Sequence, residues 1–246
     1  MFKIVFFLKT NISFNKINKL AIPALIAGIA EPLISITDTA IIGNIDYNAK
    51  ESLGAIAIVG SFLSMLIWVF AQTRSAVSSI ISTYLGANKL EKVKTLPAQA
   101  MSIVVGLGFL IIILTYPFSE FIFKAFGADQ NILTYAVDYY EIRIIGLPFT
   151  LFVFTVFGTF RGLQNTLQPM LIALLGAILN IIFDWILVYG IDGIIPAMNV
   201  KGAAYASVIS QIVMALAAGY LLHKKTSISL KFTLPFNKEI PKLIKM

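Results

Sequence analysis

The sequence contains no cysteine, a single histidine and few charged residues. The absence of cysteine excludes disulfides, thiolate metal sites and cysteine nucleophiles, and it leaves the redox compartment open. His223 lies beside Lys224 at the end of an apolar run, where a surface position is expected rather than a role in a Ser–His hydrolase. Glycine-rich phosphate loops and histidine metal clusters are also absent from the sequence. We therefore expect neither an enzyme nor a bound cofactor.

Charge is too scarce for an ordinary soluble domain. Charged residues make up 13% of the chain, against about 25% in soluble proteins. Hydrophobic residues make up 58% and the mean hydropathy is +0.87. Helical runs of about 20 apolar residues span the roughly 30 Å of hydrocarbon in a bilayer. Six such runs predict an all-α polytopic membrane protein, with spans near 21–43, 53–86, 96–116, 135–160, 170–189 and 200–225.

The predicted spans divide the chain into three parts. Residues 1–18 form a cytoplasmic N-terminal segment, 19–223 a six-helix transmembrane bundle, and 224–246 a basic cytoplasmic tail. In the fourth span Pro148 predicts a kink. The same span opens with aromatic residues that suit a belt at the membrane surface, namely Tyr135, Tyr139 and Tyr140.

Lysine and arginine favour one orientation. With a cytoplasmic N-terminus, 14 of the 19 basic residues fall in inside segments, as the positive-inside rule requires. Both termini are therefore predicted to be cytoplasmic in a multi-pass protein of the inner (plasma) membrane. Arg74 is expected near the inner end of the second span, where it can snorkel to the surface. Because topology accounts for the net charge of +7, we expect no nucleic-acid binding.

Polar side chains occur inside two of the predicted spans. On the fifth, Asn180 and Asp184 are four residues apart and share one face of a helix. On the first, Glu31, Ser35 and Asp38 form a stripe. Glu31 and Asn180 each lie about 15 Å from the inner start of their span. Asp38 and Asp184 lie at about 26 Å and about 21 Å, so the two stripes are predicted to face each other.

Buried carboxylates need a partner. A carboxylate in a bilayer costs about 2.5 to 3.5 kcal/mol on insertion scales and normally faces a bundle interior. Apart from Arg143, no basic residue is expected at this depth, so a proton or a sodium ion is the natural counter-charge. A structural alternative exists, because a lone membrane asparagine often forms an interhelical hydrogen bond and each acid can be a neutral packing group. Three carboxylates on two helices favour the ion or proton site.

Four segments together resemble a known family: AEPLISITDTAIIG in the first span, RGLQNTLQP after the fourth, NIIFD in the fifth and VKGAAYAS opening the sixth. They look like the N-terminal lobe of multidrug and toxic compound extrusion (MATE) transporters. The AEPL and DTA pieces are similar to the DNA-damage-inducible protein F branch. The resemblance covers residues 19–223. It implies one lobe of a membrane-embedded antiporter of two six-helix lobes, which exports small organic, often cationic, compounds against a H⁺ or Na⁺ gradient.

The resemblance also implies roles for individual residues. It assigns the coupling cation, H⁺ or Na⁺, to Asp38, Asn180 and Asp184. Tyr139 matches a tyrosine near that cluster, and Pro23 matches a bend-forming proline of the first helix. Glu31 is a further candidate that depends on its depth and its place before Pro32. No other metal is implied.

The basic tail resembles the start of the linker between the two lobes. We therefore expect a fragment or truncated product that requires a separate C-terminal lobe or a second copy for transport. Three alternatives stay open. A lipid-linked precursor flippase of the same superfamily would line its cavity with several cationic residues. An intramembrane aspartyl protease would show YD and GxGD motifs rather than TD and FD, and a transport-inactive helical fragment would explain the spans alone.

Overall fold

The computed structural model describes residues 13–228 and 230–241; the segment MFKIVFFLKT and the side chains of Glu31 and Gln130 lie outside the described residues. The chain is helical, with α1 (Phe14–Gly43), α2 (Ala49–Gly86), α3 (Leu96–Thr115), α4 (Ser119–Ala125), α5 (Gln130–Arg143), α6 (Leu147–Gly162), α7 (Leu167–Tyr189) and α8 (Asn199–Lys225). Short 3₁₀ turns occupy Leu90–Val93, Tyr116–Phe118 and Ile144–Gly146. Across the described ranges, β structure is limited to one bridge between Ile191 and Ile195.

Six stretches of the described chain are long and apolar enough to cross a membrane. Helices α1, α2, α7 and α8 each form one span, α3 combines with α4, and α5 combines with α6. The prediction of an all-α bundle with six spans is confirmed.

Prolines mark the breaks in the two composite spans. Pro117 lies in the turn between α3 and α4, and Pro148 lies in the first turn of α6, directly after Ile144–Gly146. Proline lacks an N–H and its ring clashes with the preceding turn, so the helix changes direction there. The kink predicted at Pro148 is therefore present. The third span was predicted too short, because the helix resumes after Pro117 and continues to Ala125.

Helix α1 is longer than its apolar run. It begins at Phe14, several residues before the predicted start near 21, and its first turns contain Asn15 and Lys16. Hydropathy marks the part of a helix that hydrocarbon surrounds, so it misses polar turns outside that layer. Pro23 and Pro32 lie inside α1 without dividing it.

The expected aromatic belt is wrong for two of its three members. Tyr139 and Tyr140 are both buried inside the bundle. Tyr140 donates a hydrogen bond to Thr115 Oγ1 over 2.5 Å and packs edge-on against Phe62 and Phe123. An aromatic segment at the end of a membrane span suits either a surface belt or a buried core. In this structure α5 packs against α2 and α8, so Tyr139 and Tyr140 lie in the core.

Glycines allow close approach of neighbouring helices. A Cβ atom on Gly158 of α6 would lie 2.5 Å from the Arg74 carbonyl oxygen of α2, and one on Gly162 would lie 2.7 Å from Ile81 Cβ. Gly202 of α8 is comparably close to the backbone of α7. Small residues at membrane helix interfaces permit such contacts. The result is that α6 packs closely along α2, and α7 lies between α1 and α8.

The tail after α8 folds back onto the C-terminal end of α2 and the N-terminal end of α3. Gln99, which is fully buried, donates through Nε2 to the carbonyl oxygens of Thr233 (2.6 Å) and Pro235 (3.1 Å). Its Oε1 accepts from the Asn237 backbone N–H over 2.8 Å. Ile240 completes a buried cluster with residues of both helices. The described part of the tail is therefore attached to the bundle rather than free of it.

Candidate ion-coupling site

Asp38 of α1 and Asp184 of α7 meet inside the bundle. Their exposed fractions are 6% and 0%, and each carboxyl group is within hydrogen-bonding reach of the other. Asp38 Oδ1 and both carboxyl oxygens of Asp184 accept no hydrogen bond from any donor among the described residues. Two carboxyl groups can hydrogen-bond to each other only when one of them carries a proton. The pair therefore requires either a shared proton or a cation between the two groups.

Asn180 lies one turn before Asp184 on the same buried face of α7. Its Nδ2 donates to Ser207 Oγ of α8 over 3.3 Å, while its Oδ1 has no partner in the described chain. The Asn180 amino group therefore forms an interhelical hydrogen bond, as the structural alternative expects, while its carbonyl oxygen stays buried without a partner. Ser207 was not among the predicted residues, because a serine in an apolar helix has no distinguishing sequence pattern.

Tyr139 and Arg143 border the carboxyl pair. Arg143 donates through Nε to the Tyr139 hydroxyl over 3.3 Å. Arg143 is within electrostatic range of both Asp38 and Asp184, but the ion pairs of the described residues do not include it. The guanidinium group therefore lowers the cost of a negative charge at the site without neutralising either carboxylate by direct contact.

The predicted stripe on α1 does not remain together. Asp38 points into the bundle toward α7, whereas Ser35 is exposed and lines an open cavity with Gly28 and Pro32. Glu31 lies on the same helix, but its side chain lies outside the described residues, so it stays a prediction. The structure thus brings together Asp38 and Asp184, with Asn180 one turn away on α7 and Tyr139 near the pair on α5.

Oxygen atoms alone are available for a ligand at this site. Carboxylate and amide oxygens are hard donors that suit a proton or an alkali cation, whereas transition metals favour histidine and cysteine. Among the described residues, no group of three or more His, Cys, Asp or Glu side chains is arranged to hold a metal ion. A single small cation is the ligand that fits the geometry.

A six-span helical bundle with a carboxyl pair buried between two parallel spans is the architecture of a transporter lobe. A family model, MatE, matches residues 23–186, and the chain belongs to this family. It is 30% identical over 206 residues to the DNA damage-inducible protein F of Escherichia coli K12, which covers 84% of this chain and 43% of that protein. It is 27% identical over 220 residues to the probable multidrug resistance protein NorM of Thermotoga maritima, covering 87% and 45%.

Solved structures give the same result. A MOP superfamily transporter from Pyrococcus furiosus superimposes with a TM-score of 0.81 at 27% identity, covering 93% of this chain and 50% of that chain. The chain thus spans about half the length of the relatives it matches. The predicted resemblance, and the fold of a single lobe, are both confirmed.

Proposed function

We propose that this chain is the N-terminal lobe of an efflux antiporter that exports small organic, often cationic, compounds in exchange for H⁺ or Na⁺. The coupling ion binds at Asp38 and Asp184, with the Asn180 carbonyl oxygen and the Tyr139 hydroxyl beside it. The observation that carries this proposal is the buried carboxyl pair, in which Asp38 Oδ1 and both carboxyl oxygens of Asp184 have no donor among the described residues. The chain spans about half the length of its relatives, so we propose that transport also requires the second lobe that those relatives have.

The two aspartates lie on helices that are packed to different extents. Asp184 belongs to α7, which is packed between α1 and α8. Asp38 belongs to α1, the least buried of the six spans, which contains Pro23 and Pro32. An ion that joins the two carboxyl groups favours one position of α1 over others, because it binds only the arrangement in which both groups converge. Loading and release of the ion thereby drive alternating access.

The proposed orientation agrees with the location of the pair. Both termini are placed in the cytoplasm of a cell whose inner membrane holds the protein. Asp38 then lies near the outer end of α1, and Asp184 near the outer end of α7. A cation that moves inward down its gradient would reach this level first, before the compound to be exported is released.

The flippase alternative is less well supported. Recognition of a pyrophosphate-linked lipid would call for several cationic groups along the cavity. Two cavities lie between α1, α2 and α6, and Arg74 is the one basic residue among those that line them.

Infrared spectroscopy of the purified chain in lipid nanodiscs tests the ion site. A protonated buried carboxyl group gives a C=O stretching band that a carboxylate lacks. We expect this band in the unaltered chain, its loss in Asp184→Asn and Asp38→Asn, and its retention in Asp138→Asn. Asp138 is the matched control because it already forms an ion pair with Lys201, 3.1 Å away. Loss of the band on adding NaCl would assign Na⁺, and a band unaffected by NaCl would assign H⁺.

The same series can refute the proposal. If Asp184→Asn and Asp38→Asn leave the band unchanged, and neither variant alters a response to NaCl, the pair holds no titrating proton or cation. Circular dichroism of each variant establishes that the helices are intact.

A further inference from the structure

Arg74 has no counter-charge in the described structure. It lies on α2 within the second span, and its Cζ atom stands 5.1 Å from the ring centroid of Phe154 on α6. Its Nε atom is buried without an acceptor, and the ion pairs of the described residues do not include it. The guanidinium group is therefore held against an aromatic ring of the lobe, and its expected snorkelling to the inner surface stays a prediction.

Two cavities meet at this arginine. The larger, about 400 Å³, opens between α1, α2 and α6, and its wall includes Ser35, Ser64 and Trp68 as well as Arg74 and Phe154. Its volume lies within the range of about 300 to 1,000 Å³ that is usual for small-molecule sites.

The smaller cavity, about 130 Å³, is enclosed by α1, α6, α7 and α8 and shares Arg74 and Phe154 with the larger one. It contains Thr150 and Gln211, whose Oε1 atom has no partner in the described chain. Its remaining lining is apolar or aromatic. Arg74 therefore lies between two adjacent cavities, and it is the charged group that lines both of them.

We infer that the larger cavity binds the acidic group of an anionic or zwitterionic amphiphile through Arg74. A guanidinium group presents several N–H donors in a planar fork that matches a carboxylate, sulfonate or phosphate. The hydroxyl groups of Ser35 and Ser64 offer further donors in the same wall. The rings of Trp68 and Phe154 form a surface for the apolar part of the ligand. Among the organic compounds proposed for export, this position favours those that carry an acidic group, alone or together with a cationic one.

Glu31 supplies a specific test of this inference. Its backbone lies between Ala30, which lines the smaller cavity, and Pro32, which lines the larger one. If Glu31 formed an ion pair with Arg74, an external anion would bind only after Glu31→Gln had removed that carboxylate. The inference requires instead that the chain with Glu31 in place binds the anion.

The inference deepens the proposed function by naming the chemistry of the exported compound, but it can be tested apart from ion coupling. Binding is measured at equilibrium, without a gradient or a second lobe. The sequence contains two tryptophans, so Trp185→Phe leaves Trp68 as the single reporter in the cavity. Bromine quenches tryptophan fluorescence at short range. The probes are a bromine-labelled alkyl carboxylate and the alcohol of the same chain length, added to the chain in phosphatidylcholine nanodiscs.

We expect the carboxylate to quench Trp68 with an affinity about tenfold higher than that of the alcohol, as one charge-assisted contact provides. Arg74→Gln should abolish the difference, whereas Arg74→Lys should retain part of it because the charge remains. Arg161→Gln is the matched control. It also removes one positive charge, this time from α6, but Arg161 lines neither cavity. In that control the preference for the carboxylate should persist.

Three outcomes would overturn the inference: equal affinity for carboxylate and alcohol, an undiminished preference in Arg74→Gln, or a preference that appears only in Glu31→Gln. A second arm identifies the source of the anion. Nanodiscs that contain bromine-labelled phosphatidylglycerol should quench Trp68 through Arg74 if a lipid headgroup is the natural ligand. If that lipid does not quench while the free carboxylate does, a soluble amphiphile is the ligand.

Discussion

Replacing Gly158 with alanine tests the contact between α2 and α6 that positions Arg74 against Phe154. The new Cβ atom would lie 2.5 Å from the Arg74 carbonyl oxygen, 3.1 Å from its Cα and 3.2 Å from its carbonyl carbon. A carbon normally stays about 3.3 Å or more from a carbonyl oxygen. Because the clashing atoms belong to the backbone of α2, they cannot move away as the end of a flexible side chain could. The two helices must therefore separate locally by roughly 0.8 Å.

The size of the effect follows from two opposing terms. Overpacking of this kind costs about 1 to 3 kcal/mol, with the upper part of the range expected when backbone is the obstacle. Alanine regains up to about 1 kcal/mol because it is the better helix former. We therefore expect Gly158→Ala to lower the free energy of unfolding by about 2 kcal/mol.

Reversible unfolding of the purified chain in mixed micelles, driven by sodium dodecyl sulfate and followed by circular dichroism, measures this difference. Gly106→Ala on α3 is the control, because a Cβ there meets nothing within 4 Å and the change should be neutral or slightly stabilising. Gly176→Ala should fall between the two, because the side chain it meets is the flexible Met214. If Gly158→Ala were as stable as Gly106→Ala, α2 and α6 would not be in contact at this point.

Two further predictions concern the tail and the orientation. Gln99→Leu removes three hydrogen bonds from the tail, so amide exchange by mass spectrometry should accelerate about tenfold or more across 230–241; unchanged exchange, as expected for the control Ser102→Ala, would contradict a docked tail. The sequence has no cysteine, so Lys94→Cys and Asp192→Cys can be labelled individually. An impermeant maleimide should modify the second in intact cells and the first only after permeabilisation, and the opposite pattern would reverse the orientation.

The sequence predicted the spans well because the hydrocarbon layer imposes one length and one composition on every helix that crosses it. The depth of Asp38 and Asp184 was predictable for a related reason. Helices that cross in the same direction with a fixed rise allow residue counts to be converted into levels. From these levels the acidic stripes of the first and fifth spans were predicted to face each other, and the structure shows α1 in contact with α7. The role of this contact in ion coupling stays a prediction.

Side-chain direction was the main source of error. In a membrane helix the face toward lipid and the face toward the core are both apolar, so the usual pattern that separates them is weak. Tyr139 and Tyr140 were therefore assigned to the membrane surface, although both pack inside the lobe. The pair Gly158 and Gly162 did carry a readable signal, since glycines four residues apart mark close helix contacts.

The contacts around the aspartate pair restrict where α1 can bend. Near the C-terminal end of α1, the Tyr189 hydroxyl of α7 donates to the Ile41 carbonyl oxygen over 2.9 Å, three residues beyond Asp38. Both internal prolines, Pro23 and Pro32, lie on the N-terminal side of Asp38, where α1 is mostly exposed. A cation shared with Asp184 would therefore fix the C-terminal third of α1, while the N-terminal part could still change direction. Because that N-terminal part also forms one wall of the cavity at Arg74, bending there would alter the ligand site without moving the carboxyl pair.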